Sequence, residues 1–359
     1  MKILVLPGDG IGPEITDATL RVLTALDERH GLGLDLTTQE IGLTTLASQG
    51  TTLPDDALAQ VEQVDGTILG PVSHYDYPPR AQGGINQSAE LRVRFDLFSN
   101  VRPARSIADL AVVREPMDLV IIRENTEGFY ADRSMHLGAG EFMPDADTAL
   151  SIRKITRRAS TAVARTAFEL ARGRRKHVTA VHKANVLKVT DGLFLDAVRA
   201  VAADYPDVEL RELIVDATAA RLVKKPGDFD VIVTTNMFGD ILSDEASELS
   251  GSLGLGGSIN VGGDICVAQA QHGSAPDIAG QGVANPVSLI RSAAMMLDWF
   301  GSRSGRAELV DAGRLIEESV DAVIADPATR TRDIGGALGT TEFTDVLLAD
   351  LDARIAVHA

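Results

Sequence analysis

Residues 234–251 read TTNMFGDILSDEASELSG, and this stretch decides how the chain is interpreted. The preceding FDVIVTT, residues 229–235, is short, apolar and β-branched, which is typical of a buried strand. Asn236 and Gly239 end that pattern, and the spacing of apolar residues becomes helical. The sequence therefore predicts a strand that leads directly into a helix carrying a cluster of acids.

Asp240 and Asp244 are four residues apart, so on a helix they share one face with Cβ atoms about 5–6 Å apart. Two carboxylates at that spacing repel each other unless a positive group lies between them. A hard divalent cation, Mg²⁺ or Mn²⁺, is suited to such oxygen ligands. A solvated acidic helix face is the alternative interpretation, and it is the commoner one for an isolated D-x-x-x-D pattern.

The bulk composition excludes several classes of protein. A chain of 359 residues predicts two domains or one large α/β unit. A net charge of −17 argues against nucleic acid or an anionic membrane as a partner. The single cysteine, Cys266, excludes an internal disulfide and a multi-cysteine metal site. Because the chain contains no signal peptide and no apolar run near the ~18–20 residues of a membrane span, we expect a soluble, cytoplasmic protein.

Short apolar strands alternate with helical segments along the chain, which predicts a parallel sheet covered by helices. Polar residues follow two of these strands, in RENTEGFY (123–130) and HKANV (182–186), at the edge where ligands usually bind in such sheets. The segment from about 131 to 154 has no helical period, so we interpret it as irregular or β structure. The glycine-rich SGSLGLGGSINVGG (250–263) is predicted to be a mobile loop.

Basic residues near these polar segments are suited to binding an acid. Arg92 and Arg102 lie in LRVRFDLFSNVRP (91–103), and arginine favours bidentate contacts with carboxylates. Lys183 follows a strand and can act as a general base if desolvation lowers its pKa. For any one of these residues taken alone, ordinary surface charge is the alternative.

Several long motifs occur together and in order, and with them the chain closely resembles one enzyme family. The resemblance is to the isocitrate, isopropylmalate, homoisocitrate and tartrate dehydrogenases, which oxidise and decarboxylate 2-hydroxy-3-carboxylic acids. It covers about residues 3 to 345. The motifs are LPGDGIGPEI (6–15), LRVRFDLFSNVRP (91–103), RENTEGFY (123–130), HKANVLKVTDGLF (182–194), NMFGDILSDEASEL (236–249), HGSAPDIAGQGVANP (272–286) and SAAMML (292–297).

The resemblance implies an α/β fold of the isopropylmalate/isocitrate dehydrogenase type, with two α/β domains and a central cleft. Residues 1–97 and 248–359 would form the large, NAD-binding domain. Residues 98–247 would form the small domain for substrate and dimerisation, with a β arm at about 131–154. The glycines of GDGIGP do not have the G-x-G-x-x-G spacing, and the implied fold is not a Rossmann fold.

The resemblance also implies roles for acids, a lysine and a tyrosine. Asp216, Asp240 and Asp244 would bind Mg²⁺ or Mn²⁺, Lys183 would accept the proton of the substrate hydroxyl, and Tyr130 would protonate the enol carbon after loss of CO₂. In this family two subunits share each active site. A homodimer is therefore implied, with Lys183 and Asp216 contributed across its interface.

Substrate and cofactor residues follow from the same comparison of motifs. Arg92, Arg102 and Arg123 would bind the carboxylates of the malate core, and Asn185 would lie near the nicotinamide and the substrate. Asp277 stands where NAD-using members place an acid against the ribose hydroxyls, so we predict NAD rather than NADP. The implied cofactor-binding residues are Ile11, His272, Gly273, Ser274, Ala275, Asp277, Ile278 and Asn285.

The residues before Arg92 bear on the substituent at C3 of the substrate. Isopropylmalate enzymes place paired leucines where this chain has Ser88 and Ala89, with Asn86 nearby. Because an isopropyl group against a serine hydroxyl would strand a polar group, we predict a polar or small substituent, as in isocitrate, homoisocitrate or tartrate. A 3-isopropylmalate dehydrogenase and a non-catalytic regulatory subunit are the alternatives. Gln269 replaces the glutamate that many members carry near the cofactor, and its effect is left open.

Overall fold

Strands and helices alternate through most of the chain, as the apolar pattern predicted. The computed structural model describes residues 1–130 and 134–358. Its strands are β1 (Lys2–Leu6), β2 (Asp35–Thr38), β3 (Gly66–Leu69), β4 (Ser99–Arg105), β5 (Asp118–Glu124), β6 (Glu141–Asp145), β7 (Thr148–Ser151), β8 (His177–His182), β9 (Glu209–Ile214), β10 (Val231–Thr234), β11 (Ile259–Gly262) and β12 (Ile265–Gln269). Its helices are α1 (Gly12–His30), α2 (Leu43–Gln49), α3 (Asp55–Val61), α4 (Gln87–Arg94), α5 (Arg157–Arg172), α6 (Thr190–Ala202), α7 (Val215–Lys224), α8 (Asn236–Ser250), α9 (Val287–Ser304), α10 (Ala307–Ala325) and α11 (Thr340–His358).

The chain divides into two compact units. The first comprises Met1–Leu91, Ser252–Ile259 and Asp264–Ala359, and the second comprises Arg92–Gly251 and Asn260–Gly263. Each unit is therefore built from segments that are distant in sequence. The assignment of these units to NAD binding and to dimerisation stays a prediction.

In the first unit, parallel strands run in the order β2-β1-β3-β12. Ile3 to Leu6 of β1 are fully buried, because this strand lies between two others and is covered on its faces. Helix α9 is buried along its first half and supplies much of the core. No helix in the described ranges is both long enough and apolar enough to cross a membrane.

In the second unit, the strands run β4-β5-β10-β8-β9, and all neighbours are parallel except the β4–β5 pair. Apolar side chains on the two faces of this sheet form two separate cores, one including Phe168 and Phe194 and the other including Phe229 and Leu242. Because β5, β8, β9 and β10 are parallel, their carboxyl ends lie at one edge of the sheet. This edge positions the polar residues described below.

The prediction of a mobile loop over residues 250–263 is wrong for its second half. Residues 259–262 form β11, and all four are buried. A Cβ atom at Gly262 would lie 2.0 Å from the carbonyl oxygen of Asp96. Glycine is needed at this position because two backbone segments approach closely, so Gly262 reflects packing and not mobility.

The segment predicted to be a β arm contains an antiparallel pair. Strands β6 and β7 form a separate two-stranded sheet, and every residue of both strands is exposed. Residues 131–133 of the predicted arm lie outside the described residues. A role for this hairpin in dimerisation stays a prediction.

Candidate active site

Asp240 and Asp244 lie on α8, which follows β10 directly, as predicted. Arg102 of β4 places Nη1 2.9 Å from Asp244 Oδ1 and 3.7 Å from Asp240 Oδ1. Arg123, near the end of β5, forms an ion pair with Asp240 and donates Nε–H to Asn236 Oδ1 at 2.9 Å. Two guanidinium groups thus supply the positive charge that carboxylates at this spacing require.

Electrostatics in this group are set by burial and by close charges. The Arg102 and Arg123 side chains are only 7% and 3% exposed. Burial, aided by the neighbouring cation Arg123, lowers the pKa of Arg102 to about 10 although Asp240 and Asp244 oppose the shift. Burial raises the pKa of Asp240, but Arg123, Arg102 and Arg92 outweigh it, so this pKa lies below its ordinary value. We call Arg92, Arg102, Arg123, Asp240 and Asp244 the arginine–aspartate cluster.

Tyr130 also contacts the arginine–aspartate cluster. Its hydroxyl donates to Asp240 Oδ2 at 3.1 Å, and the Arg123 guanidinium lies 6.0 Å from the centre of its ring. The Asp240 and Asp244 side chains are 35% and 52% exposed, so the cluster is open to solvent on the side of the acids. A phenolic proton donor, two accessible carboxylates and buried cations therefore lie together at one edge of the sheet.

Lys183 and Asp216 form a second group. Lys183 follows β8, Asp216 lies in the first turn of α7, and Lys183 Nζ is 2.6 Å from Asp216 Oδ1. The hydrogen bond from Lys183 lowers the pKa of Asp216. Within the part of the chain that the structure describes, no three acids, histidines or cysteines form a group that could hold a metal ion. Within one chain, Asp216 therefore does not join Asp240 and Asp244 in one metal-binding group. A site made from two chains stays a prediction. Asn185 is exposed in the turn after Lys183.

The predicted cofactor residues lie in the first unit, where the structure joins the loop before α1 to the loop before α9. The backbone N–H of Ile11 donates to the carbonyl oxygen of Ser274 at 2.8 Å. Gly10, with φ of 59°, permits this contact, since a Cβ there would lie 2.0 Å from that oxygen. Ser274 Oγ lies 2.7 Å from Ser73 Oγ, and Asn285 donates to Asp333 at 3.0 Å. The remaining residues of the loop are part-buried or exposed: Gly273, Ala275, Asp277 and Ile278.

His272 offers a polar atom for a ligand in this loop. Its Nδ1 lies 3.0 Å from the carbonyl oxygen of Gly273. Its Nε2 is buried and has no hydrogen-bond partner among residues 1–130 and 134–358. Burial lowers the pKa of His272, which favours the neutral ring. A buried and unsatisfied ring nitrogen fits a site that is completed by a bound molecule.

Two residues predicted to face the substituent are held by specific hydrogen bonds. Asn86 Oδ1 accepts from the backbone N–H of Ala89 at 3.0 Å, at the start of α4. Ser88 Oγ accepts from Gln269 Nε2 at 2.6 Å. The amide hydrogens of Asn86 and the hydroxyl hydrogen of Ser88 are therefore left to donate to other groups. The contact of Gln269 with Ser88 was not predicted.

Ser243 is a member of the site that the sequence interpretation missed. It accepts from Arg102 Nη1 at 2.7 Å and donates to the carbonyl oxygen of Asp240 at 3.0 Å. The available signal was its position three residues after Asp240 on α8. It strengthens the attachment of the buried guanidinium to the acidic helix.

Replacing Gly239 with alanine is expected to lower the free energy of unfolding by about 1–3 kcal/mol, the usual cost of overpacking. A Cβ atom at this position would lie 2.7 Å from Cβ and Cγ of Arg123, which the surrounding ion pairs hold in place. Gly192→Ala on α6 is the matched control, since no described atom lies within 4 Å of its added Cβ. Denaturant titration measures both variants, and equal stabilities would contradict the close approach.

Comparisons with known proteins agree with this arrangement. The family model described as isocitrate/isopropylmalate dehydrogenase matches residues 2–347. The isocitrate/homoisocitrate dehydrogenase of Thermus thermophilus is 42% identical over 98% of both chains. The 3-isopropylmalate dehydrogenase of Archaeoglobus fulgidus is 41% identical over 98% of this chain and 99% of that protein.

Solved structures give the same result. The crystal structure of isocitrate dehydrogenase from Methylococcus capsulatus has a TM-score of 0.85 and 40% identity, and the match covers 98% of this chain and 99% of that one. The fold class implied by the sequence motifs is confirmed, and an enzymatic role is supported. The chain belongs to the isocitrate/isopropylmalate dehydrogenase family.

Proposed function

We propose that this protein catalyses the NAD-dependent and divalent-metal-dependent oxidative decarboxylation of a malate that carries a polar or small substituent at C3. The observation that carries the proposal is the arginine–aspartate cluster with Tyr130 bound to it. Buried cations suit a substrate with several carboxylates, and the exposed acids suit a metal ion. The names of the relatives support the reaction class but differ in the substrate they state.

Asp240 and Asp244 fit a hard divalent cation, because carboxylate oxygens are the ligands that Mg²⁺ and Mn²⁺ prefer and both side chains are accessible. Asp216 of a second copy would complete the set of three acids. The chemistry supplied on binding is Lewis acidity toward the substrate hydroxyl from the ion and hydride acceptance from NAD. The unsatisfied Nε2 of His272 supports binding of NAD in the first unit.

The residues of the chain then have separate tasks. Arg92, Arg102 and Arg123 bind the substrate carboxylates, and burial holds at least the last two in fixed positions before the substrate arrives. Lys183 of the second copy accepts the proton of the substrate hydroxyl. Tyr130 donates a proton to the carbon that has lost CO₂, and its bond to Asp240 holds the phenol in the cluster.

A homodimer is supported by exposed apolar side chains near the residues that it would share. Val186 and Val189, which follow Lys183, are 66% and 85% exposed, and Ile241, beside Asp240, is 58% exposed. Large apolar side chains exposed to this degree are often covered in protein–protein interfaces. These residues lie in the second unit, as does the β6–β7 hairpin with its exposed Phe142.

The substituent is argued from the hydrogen bonds at Asn86 and Ser88. Each residue has its acceptor oxygen occupied by a donor of the protein, so each offers hydrogen-bond donors to a ligand. Two donors fit a substituent that carries acceptors, such as the additional carboxylate of isocitrate or homoisocitrate. An isopropyl group would leave both donors unsatisfied.

Replacing Asn86 and Ser88 together with leucine is expected to shift the ratio of kcat/KM toward 3-isopropylmalate and away from isocitrate or homoisocitrate. A change of about 10–200-fold is the usual size for one altered pocket contact, so the double variant should reach at least that range. Steady-state kinetics on the three acids measure it. Gln63→Leu, at an exposed position outside α4, is the control, and an unchanged ratio in the double variant would contradict the assignment of these residues.

The wild-type protein is expected to prefer NAD over NADP by roughly 100-fold in kcat/KM, because a 2′-phosphate beside Asp277 meets a like charge that salt only partly screens. Asp277 is exposed in a single 3₁₀ turn. Asp277→Lys should reverse the preference, whereas Asp264→Lys, at an exposed acid outside the loop, should not. Comparable values for the two cofactors in the wild type would count against NAD.

The proposed function is tested by assaying 3-substituted malates with NAD and Mn²⁺, with NADH followed by absorbance and CO₂ by trapping. We expect stoichiometric NADH and CO₂ with a substrate whose substituent is polar or small. Isopropylmalate as clearly the best substrate would overturn the argument on the substituent but not the reaction. No turnover with any of these acids would overturn the proposed function.

A further inference from the structure

A buried ion pair lies beside the main chain of Lys183, and neither of its members was predicted as a site residue. Arg153 and Asp191 are 7% and 0% exposed and are joined by an ion pair. The second carboxylate oxygen of Asp191, Oδ2, accepts from the backbone N–H of Lys183 at 2.5 Å. The carboxylate therefore bonds a cation with one oxygen and the peptide of the lysine with the other.

Arg153 is itself held from several directions. Its Nη1 donates to Thr190 Oγ1 at 2.8 Å, and its Nη2 donates to Thr235 Oγ1 at 2.9 Å. Its guanidinium lies 5.7 Å from the ring centre of Phe129 and 5.4 Å from that of Phe238. Such cation–π contacts are strengthened when the cation is removed from water.

These contacts connect segments that carry functional residues. Phe129 precedes Tyr130, Thr235 immediately precedes α8, and Phe238 is two residues before Asp240. The ion pair therefore links the peptide of Lys183 to the segments that carry Tyr130 and the acids. A deeply buried charged pair is costly unless its members are hydrogen-bonded, and here both terminal nitrogens of Arg153 and both carboxylate oxygens of Asp191 have partners.

We propose that Asp191, held by Arg153, is a positioning residue that fixes the main chain of Lys183 against the segments carrying Tyr130 and α8 of the same chain, so that the lysine is held in place for the site of the second copy. The proposal rests on the proposed function, in which Lys183 is the base. Because a general base must lie within hydrogen-bond reach of its proton, a small displacement of this peptide lowers the rate of the chemical step without altering the binding of NAD.

The same strands offer a matched control at their other end. Asp230, 1% exposed, pairs with Arg174 at 2.8 Å and accepts from the backbone N–H of His177 at 3.4 Å. His177 begins β8, and Lys183 follows its last residue. Asp191 and Asp230 thus each pair with an arginine and accept a hydrogen bond from a peptide N–H at one end of β8. Only the peptide bonded to Asp191 is that of Lys183.

The test compares Arg153→Met/Asp191→Ala with Arg174→Met/Asp230→Ala, in which neither member of a pair is left as a lone buried charge. For the first variant we expect kcat to fall about 100-fold, the scale of a misplacement of about 1 Å, with an unchanged KM for NAD. For the second we expect kcat within about twofold of the wild type, although both lose thermal stability. Arg153→Met/Asp191→Asn keeps an acceptor for the peptide N–H of Lys183. Its kcat should be at least about tenfold higher than that of Arg153→Met/Asp191→Ala.

Hydrogen exchange measured by mass spectrometry on the intact protein gives a readout that needs no turnover. Exchange in the peptide containing Lys183 should accelerate in the Arg153→Met/Asp191→Ala variant and not in the Arg174→Met/Asp230→Ala variant. An unchanged exchange rate there, or equal losses of kcat in both pairs, would overturn the positioning role. If the wild type turns over no substituted malate, the proposed function fails, and the exchange comparison still decides whether Asp191 fixes this peptide.

Discussion

Replacing Lys183 with methionine is expected to lower kcat by about 10³-fold, within the range usually lost with a general acid or base. Methionine keeps the length and the apolar stem of the side chain but cannot accept a proton. Lys183 is 27% exposed and is hydrogen-bonded to Asp216 in the single chain, so its removal leaves no buried partner stranded. We therefore expect normal folding and an unchanged KM for NAD.

Lys188→Met is the control for this variant, because it removes an exposed lysine from the same connection between β8 and α6. Mixing subunits extends the test to the proposed sharing of sites. Lys183→Met and Asp240→Asn homodimers should both be nearly inactive, whereas dimers reassembled from the two together should regain activity. One site of such a mixed dimer would combine an intact lysine with an intact aspartate. Failure of the mixture to recover would contradict a site shared by two copies, and a Lys183→Met protein with near-normal kcat would contradict the base.

The parts of this molecule that could be predicted from sequence are those set by local spacing. The β10–α8 junction follows from an apolar strand that ends at Asn236, and the shared face of Asp240 and Asp244 follows from helical geometry alone. The roles of the acids came from the order of motifs and not from their spacing. Taken alone, a D-x-x-x-D pattern is more often a solvated helix face.

The contacts between distant residues could not be predicted. Arg102 and Asp244 are 142 positions apart, and Gln269 and Ser88 are 181 apart, so only the packed sheet brings them together. Arg153 gave no signal, since one arginine in a polar segment looks like surface charge until its burial is known. The error at β11 has a related cause. Glycine in a sequence does not distinguish a flexible loop from a strand that another backbone approaches closely.

Removing the metal ion, or one of the acids proposed to bind it, is expected to lower activity about as strongly as removing Lys183. Dialysis against EDTA should abolish turnover, and Mg²⁺ or Mn²⁺ should restore it. Asp240→Asn should lower kcat/KM by about 10³-fold, since Lewis-acid stabilisation is worth several kcal/mol and each 1.4 kcal/mol changes a rate about tenfold. The substitution also removes the anion that pairs with Arg123, so the variant loses a ligand and leaves a buried guanidinium with less compensation.

Glu248→Gln is the control for Asp240→Asn, because it removes one exposed negative charge from the same helix, α8, but no proposed metal ligand. We expect this control to keep both its activity and its affinity for Mn²⁺. Titration calorimetry with Mn²⁺ on the wild type, Asp240→Asn and Glu248→Gln measures binding without turnover, and only Asp240→Asn should bind more weakly. Equal affinities in all three proteins, or full activity in EDTA, would show that these carboxylates serve the buried arginines and not a metal ion. In that case the acids of α8 would have a purely structural role, as the counter-ions that allow two guanidinium groups to be buried side by side.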